Sequence, residues 1–315
     1  MADPIMVDSH VHLFRSKEEG QADKDGYEIW EYGEKPHVCF SEAFGTVDEV
    51  MADLAATGIS KAVVVNLFVG EAIRAEKRAL VPESATGRER DDAYDRIDAE
   101  LADELIAFNQ WICDVSRAHG EIVPFVAADV SVLSADECAA HVRCMVTRNG
   151  ARGVKLHGAS QGFSMSDERL WPTYAVCQEL GVPVIGHSGP DTAGAGFAEP
   201  RGFADMLKAF PDLTVVLAHM GGATWDQARE IADNHANAFF DCCEIIEWTD
   251  GTNAPTETEL AQLIKDVGPE RVMMGSDYPW YDLDHSIERV MELPLLSAEE
   301  KEGIIGANAM SILKL

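Results

Sequence analysis

The chain has 315 residues, of which 46% are hydrophobic, so it can bury one large core. Its 55 acidic and 25 basic residues give a formal net charge of −30, which would repel the phosphate backbone of nucleic acids and an anionic membrane surface. No apolar stretch reaches the length of a membrane span, the first residues do not resemble a signal peptide, and the seven cysteines lack a disulfide-framework spacing. We therefore expect a cytoplasmic protein without nucleic-acid or membrane partners.

Eight short apolar runs recur along the chain and are typical of parallel strands, which are buried on both faces. In chain order they cover residues 5–8, 62–66, 122–127, 153–156, 182–185, 215–218, 238–241 and 271–274.

Helical patterns alternate with these runs. Three helices are predicted to begin with capping boxes, and glycines are predicted to end two of them. The boxes are Thr46 with Glu49, Ser134 with Glu137 and Ser297 with Glu300, and the glycines are Gly58 and Gly150. The other helical patterns cover residues 95–119, 168–180, 203–210, 225–235 and 257–267. Eight strands and eight helices in strict alternation predict a (β/α)8 TIM barrel, with residues 1–315 as a single domain.

Two connections are too long to be ordinary strand-to-helix loops. Residues 13–45 follow the first strand and include the aromatic residues Tyr27 and Trp30, and residues 67–92 follow the second strand and include Arg74. Long loops on the catalytic rim of a barrel usually cover or shape the pocket. We predict this role for both insertions, the alternative being surface flaps without function.

Histidines stand at the C-terminal ends of several predicted strands, and an aspartate follows the last one. They are His10, His12, His157, His187, His219 and Asp277. In a parallel barrel the C-terminal ends of the strands converge on one cavity, so side chains far apart in sequence can meet there. Imidazoles and carboxylates are ligands for divalent metals such as zinc, and this pattern indicates a metalloenzyme.

Spacing within these segments supports a shared site. His10 and His12 are two residues apart, so strand geometry points both side chains to one face, together with Asp8. A glycine closely follows His157, His187 and His219, and small residues at such positions let the backbone pass close to a bound ligand.

These segments resemble the amidohydrolase superfamily, a group of metal-dependent barrels. The resemblance rests on residues 7–12 (VDSHVH), 186–187 (GH), 218–222 (AHMGG) and 275–279 (GSDYP), which fit the family pattern in order and strand number. The last helix, with residues 304–309 (IIGANA), looks like the ending of the amidohydrolase 2 branch, which contains aminocarboxymuconate-semialdehyde decarboxylase and related hydrolases. The resemblance covers nearly the whole chain.

The resemblance implies a metal site and catalytic roles. His10, His12, His187 and Asp277 would bind one divalent ion, zinc as first choice and manganese as second. His219 would be the acid/base or carbonyl-polarising group, and Asp277 would also accept a proton from the attacking water.

Four further residues are predicted to bind a small-molecule substrate: Lys155, His157, Arg74 and Trp280. Relatives with two metals use a carboxylated lysine on the fourth strand, but Lys155 lies two residues deeper than His157, so an unmodified charge partner or substrate contact is the favoured interpretation. His157 is also open to a simpler role as a hydrogen-bonding residue of the rim.

Two activities agree with this pattern. The leading prediction is a metal-dependent hydrolase of a lactone or ester, with an amide as a further option, and the alternative is a non-oxidative decarboxylase of an unsaturated or aromatic acid. Decarboxylases of this branch use arginines to bind the substrate carboxylate, and Arg74 and Arg201 are the candidates considered. A catalytically silent scaffold is disfavoured because no ligand is missing, and barrels of this branch suggest a homodimer.

Overall fold

The structure, a computed structural model, describes residues 5–26 and 31–315, so Tyr27 and Trp30 lie outside the described residues. Eight parallel strands pair in chain order, which confirms the predicted TIM barrel. The strands are β1 (Val7–Val11), β2 (Lys61–Val64), β3 (Ile122–Ala127), β4 (Gly153–Leu156), β5 (Val184–Gly186), β6 (Val215–Leu217), β7 (Ala238–Asp241) and β8 (Val272–Met273).

Thirteen α-helices occur among the described residues. They are α1 (Lys17–Asp25), α2 (Val47–Thr57), α3 (Gly70–Ala79), α4 (Arg88–Ala118), α5 (Ala135–Asn149), α6 (Gly158–Gln161), α7 (Trp171–Leu180), α8 (Ala204–Ala209), α9 (Ala228–Asn234), α10 (Glu257–Val267), α11 (Leu283–Glu292), α12 (Ala298–Glu302) and α13 (Asn308–Ile312). None of these helices combines the length and the apolar content needed to cross a membrane.

The helix count exceeds the predicted eight by five. Both rim insertions contain a helix, α6 and α11 lie in segments for which none was predicted, and the last predicted helix divides into α12 and α13. Helix α1 lies in the first insertion, and α3 with the start of α4 lies in the second. The sequence of α1, KEEGQADKD, has no apolar stripe, so hydrophobic periodicity gives no signal for it. The three predicted capping boxes are present, and Thr256 with Glu259 forms a fourth at the start of α10.

The core has two parts. Alternating strand residues such as Val63, Ile185 and Val216 form a smaller cluster with Ile312 and other residues of the C-terminal segment. Their neighbours on the same strands belong to the larger cluster, which includes apolar residues of the surrounding helices. Strand alternation thus separates a face toward the helices from a face toward the barrel interior, where Lys155 of β4 is also buried.

Backbone hydrogen bonds join the first strand to the segment around the last one. Ser9 N donates to the Met274 carbonyl (3.0 Å), Asp277 N donates to the His10 carbonyl (2.9 Å), and His12 N donates to the Tyr278 carbonyl (2.7 Å). We call these three bonds the β1–β8 seam. The barrel is thereby nearly closed, and the ends of β1 and β8 are held side by side.

Candidate active site

A cavity of about 820 Å³ opens at the C-terminal ends of the strands. Both rim insertions contribute to its wall, the first through Asp23, Gly26 and Glu31 and the second through Leu67, Val69, Ala72 and Glu76. Its lining also contains most of the predicted site residues, namely His10, His12, Lys155, His157, His187, His219, Asp277 and Trp280. The structure thus brings these predicted site residues together around one cavity.

Three overlapping groups of possible metal ligands lie at the cavity: His10 with His12 and Asp277, His10 with His219 and Cys243, and His219 with Glu244 and Asp277. The first of these contains three of the four predicted ligands. Asp277 Oδ1 lies 3.1 Å from His12 Nε2 and 3.6 Å from His10 Nε2, and all three residues are buried. Burial alone would raise the pKa of Asp277, but the hydrogen bond from His12 and the nearby His10 lower it below its usual range. Two imidazoles and an ionised carboxylate form a donor set that suits a divalent metal.

Asp241, the last residue of β7, orients two of the histidines. One of its carboxylate oxygens lies 3.0 Å from His10 Nδ1, and the other accepts a hydrogen bond from His219 N at 2.8 Å. Burial would raise the pKa of Asp241, but His10 lowers it to about 2. An anionic Asp241 favours the His10 tautomer with its proton on Nδ1, which leaves Nε2 as the ligand atom.

His219 lies beside the end of β7. Its Nδ1 lies 3.2 Å from the Cys243 carbonyl oxygen, 3.0 Å from Cys243 Sγ and 3.4 Å from Glu244 Oε2. Burial lowers the pKa of His219, so the ring is neutral near pH 7. Its Nδ1 contacts fix the ring at the cavity wall.

Lys155 reaches the centre of the site from β4. Its Nζ lies 3.0 Å from His10 Nε2, and the side chain is buried. Burial lowers the pKa of Lys155, while Asp277 and Asp241 act in the opposite direction. It is the one lysine or arginine among the described residues that line the cavity.

His187 and His157 form a second layer of imidazoles. Their rings stack with centroids 3.7 Å apart, and the His187 ring lies 4.8 Å from the His219 ring. Burial lowers the pKa values of both rings well below the ordinary range. His187 lines the cavity but belongs to none of the three groups of possible metal ligands, so its predicted role as a ligand stays a prediction. His157 Nδ1 accepts a hydrogen bond from Ser160 N and caps α6, which agrees with its simpler rim role.

Two predicted substrate contacts have different outcomes. The Trp280 ring lies at the cavity with its plane at 86° to that of His12 and the centroids 5.1 Å apart. Arg74 is not among the residues that line the cavity, because its guanidinium donates to Asp98, Glu71 and the Ser131 carbonyl. The structure therefore does not support Arg74 as a substrate contact.

Arg201, the second arginine considered, is exposed and pairs with Glu230. Its side chain is likewise absent from the described cavity wall. An arginine clamp for a substrate carboxylate is thus not formed by either candidate.

Sequence reasoning missed three cavity or support residues: Glu31, Asp241 and Glu244. Asp241 could have been found, because it ends a predicted strand just as the histidines end theirs. Glu31 carries no such signal, since it lies inside a long insertion without periodicity.

Residues 7–315 match the family model Amidohydro_2, described as amidohydrolase. The chain is similar to the 2-amino-3-carboxymuconate-6-semialdehyde decarboxylase of Caenorhabditis elegans, with 31% identity over 124 residues that cover 35% of this chain and 30% of that protein. It is 24% identical over 204 residues to the protein of the same name from Dictyostelium discoideum, covering 55% and 56% of the two chains. The matched part is therefore about a third of the first relative's length and just over half of the second's.

Solved structures share the fold over nearly the full length. An uncharacterised TIM-barrel protein of Bordetella bronchiseptica has a TM-score of 0.69 and 20% identity, with 98% of each chain covered. A 5-carboxyvanillate decarboxylase of Novosphingobium aromaticivorans, solved with manganese and 4-hydroxy-3-methoxy-5-nitrobenzoic acid, has a TM-score of 0.63 and 16% identity, with 99% of this chain and 97% of that chain covered.

These comparisons contradict the leading prediction of a lactone or ester hydrolase. The two curated relatives and the Novosphingobium protein are all decarboxylases, which are carboxy-lyases. The sequence motifs did not decide between the two activities, because both agree with the same predicted ligands.

Proposed function

The chain belongs to the Amidohydro_2 family of amidohydrolases, and from this premise we propose that it is a metal-dependent decarboxylase of a small unsaturated or aromatic carboxylic acid. Two observations together carry the proposal. The curated relatives are decarboxylases, and His10, His12 and Asp277 form a buried group on the rim of the barrel that could bind a metal. A rim cavity of this kind is where barrel enzymes hold their substrates.

The residues present fit a divalent ion. Asp241 favours an unprotonated Nε2 on His10, and Asp277 is held in its anionic form, so both offer a lone pair to the same space. When bound, the ion would supply positive charge to the carboxylate and a neighbouring oxygen of the substrate. We propose manganese before zinc, because the Novosphingobium decarboxylase was solved with manganese.

Lys155 adds the second positive charge. Its Nζ lies beside His10 Nε2, and the nearby Asp277 and Asp241 favour its ammonium form against the effect of burial. The other charged side chains of the described cavity wall are carboxylates. An anionic substrate would therefore be drawn to the Lys155 end of the cavity. This placement compensates for the missing arginine clamp.

His219 is the proposed proton carrier. In decarboxylation the bond from carbon to the carboxylate breaks, carbon dioxide leaves, and the electron pair left on carbon takes up a proton. Because the Cys243 carbonyl favours the proton on His219 Nδ1, Nε2 can take up a solvent proton and deliver it to that carbon. Asp277 is less suited to this step, because its carboxylate is a proposed metal ligand and would be engaged by the ion.

The test is product analysis with manganese-loaded protein in deuterated water. We expect carbon dioxide release from at least one acid in a panel that includes 5-carboxyvanillate and 2,6-dihydroxybenzoate, with one deuterium on the carbon that lost the carboxylate. Asp277→Asn should lower turnover roughly 100-fold or more, since it removes an anionic ligand. Asp205→Asn, an exposed change of the same type, is the control. Absence of carbon dioxide release across the panel would refute the proposal.

A further inference from the structure

The carboxyl group of Glu31 occupies a space left by two glycines of the cavity rim. A Cβ atom at Gly189, two residues after His187, would lie 2.8 Å from Glu31 Oε2, and a Cβ at Gly222, three residues after His219, would also lie 2.8 Å from it. A side chain at either position would displace the carboxyl group. At these two strand ends, the small residue after the histidine makes room for Glu31.

The backbone around Glu31 is fixed by the segment after β7. Asn253 Nδ2 donates to the Glu31 carbonyl at 3.0 Å, and Asn253 N donates to the Tyr32 carbonyl at 2.9 Å. The Tyr32 ring stacks on Trp248, with centroids 5.6 Å apart and planes 13° from parallel. Glu31 is therefore held in place by its own chain, independently of any ligand.

One oxygen of this carboxyl group lacks a partner. Glu31 is 8% exposed and lines the cavity. The Ala223 amide and the Tyr32 hydroxyl lie near its carboxyl group, but Oε2 itself makes no close hydrogen bond with the residues that the structure describes. A buried polar atom without a partner is costly, and such atoms concentrate where a ligand supplies the missing bond. Oε2 thus marks a position for a ligand atom.

The charged side chains of the cavity wall indicate which kind of ligand atom could bind beside Glu31 Oε2. Asp23, Glu76, Asp191 and Glu244 also line the cavity, whereas Lys155 is its one described lysine or arginine. An additional anionic group of the substrate would meet repulsion here, while a hydrogen-bond donor would complete the carboxylate.

We propose that Glu31 is a specificity-determining residue that accepts a hydrogen bond from an amino or hydroxyl substituent of the substrate. This inference rests on the proposed function, because it assumes that the cavity binds a carboxylic acid. The inference adds that the substrate carries a hydrogen-bond donor, an amino or hydroxyl group, besides the carboxylate that is released as carbon dioxide. Glu31 binds this group and takes no part in breaking the carbon bond.

Binding can be measured without turnover. Manganese-loaded protein is titrated above pH 7, where Glu31 is largely ionised, with benzoate and with the hydroxybenzoates and aminobenzoates by calorimetry. We expect at least one hydroxy or amino derivative to bind wild type about tenfold more tightly than benzoate, in line with a hydrogen bond to a charged group. Glu31→Met, which has similar length but no oxygen, should reduce this preference to nearly onefold, and Glu31→Gln should give an intermediate value.

The control is Glu34→Met, because Glu34 belongs to the same insertion but is exposed. It should keep the wild-type preference, and thermal unfolding should show that all variants are folded. A preference retained in Glu31→Met, or absent from wild type, overturns the inference. If carbon dioxide is released while Glu31→Met keeps the preference, the inference fails alone. If the preference is lost in Glu31→Met although no acid is decarboxylated, the donor site stands and the proposed activity fails.

Discussion

Asp241 is the residue on which the geometry of the site most depends. It contacts His10 through one oxygen and the backbone of His219 through the other, so a single carboxylate positions a proposed ligand and the proposed proton carrier. Such supporting contacts fix the tautomer and the ring orientation of metal-binding histidines. Asp241 can therefore control metal affinity without touching the metal.

Asp241→Asn should weaken metal binding by about 10- to 100-fold, because an amide can donate to His10 Nδ1 and thereby favour the wrong tautomer. Metal affinity measured by competition with a chelating dye checks this. Asp205→Asn should bind metal like wild type, since that residue is exposed on α8. Equal affinity in Asp241→Asn and wild type would contradict the positioning role.

Glu31 should also affect how stability changes with pH. Burial raises its pKa from 4.5 to about 7, so the folded chain binds this proton more tightly than the unfolded chain. The resulting stability is present below pH 4.5 and is lost as the pH rises through 7. The free energy of unfolding of Glu31→Gln, relative to wild type, should therefore increase by roughly 3 kcal/mol across this interval.

Urea unfolding at a series of pH values measures this difference. Glu34→Gln, which changes an exposed side chain, should run parallel to wild type. A constant difference between Glu31→Gln and wild type would show that Glu31 titrates normally.

At the residue level, the sequence predicted where a strand residue lies in the barrel better than it predicted which side chains form ion pairs or other contacts. Strand ends indicated that His10, His12 and Asp277 would converge, because strand periodicity fixes where a side chain points. Arg74 was misplaced because its ion pairs with α4 depend on helix packing, which no local pattern encodes. Glu31 was missed because its approach to Gly189 and Gly222 depends on the path of a long insertion.

At the scale of elements, the C-terminal helical segment fastens the barrel at its first and last strands. Ile304 accepts a hydrogen bond from Met274 N, and Asn308 Nδ2 donates to the carbonyls of Pro269 and Val272. A Cβ at Gly306 would lie 1.7 Å from the Ile5 carbonyl oxygen, so this glycine permits direct backbone contact. The segment that pointed to the family branch therefore has a packing function.

Gly306→Ala should lower the free energy of unfolding by about 1–3 kcal/mol, because the backbone must shift to admit the methyl group. Gly120→Ala is the control, since nothing lies within 4 Å of a Cβ built at Gly120. Urea unfolding of both variants provides the measurement. A Gly306→Ala protein as stable as the control would show that the contact with Ile5 is easily relieved.

Capping motifs were predicted well, whereas several helices were missed. One of these is α11, although it is amphipathic and buries Leu283 and Val290. The capping boxes located the starts of α2 and α5, because side-chain and backbone bonding at a helix start is local. Helices α1 and α3 were taken as parts of loops. Helix α3 contacts α4 through charged residues such as Lys77 and Glu104, so its stability has no apolar signature in the sequence.

For the whole molecule, the net charge of −30 is the dominant electrostatic feature. Repulsion among like charges destabilises a compact chain, and salt screens it over a Debye length of roughly 10 Å at 0.1 M. The melting temperature should thus rise by a few degrees or more when sodium chloride is increased from about 0.05 M to about 0.5 M near neutral pH.

Calorimetric or fluorescence melting curves test this dependence on salt. The same comparison near pH 4.5, the isoelectric point expected from the sequence, should show a much smaller rise because the net charge is close to zero. An equal rise at both pH values would indicate a general effect of salt on apolar burial instead.

The β1–β8 seam connects metal binding to the integrity of the barrel. Two of its amide donors belong to His12 and Asp277, which are proposed ligands, so an ion bound by their side chains would also hold the two strand ends together. The deuterium uptake of these amides is then a readout of metal occupancy, slow in the loaded protein and faster after chelation. Removing the ion with a chelator would therefore destabilise the hydrogen bonds between β1 and the segment around β8, while the other seven strand pairings stay intact.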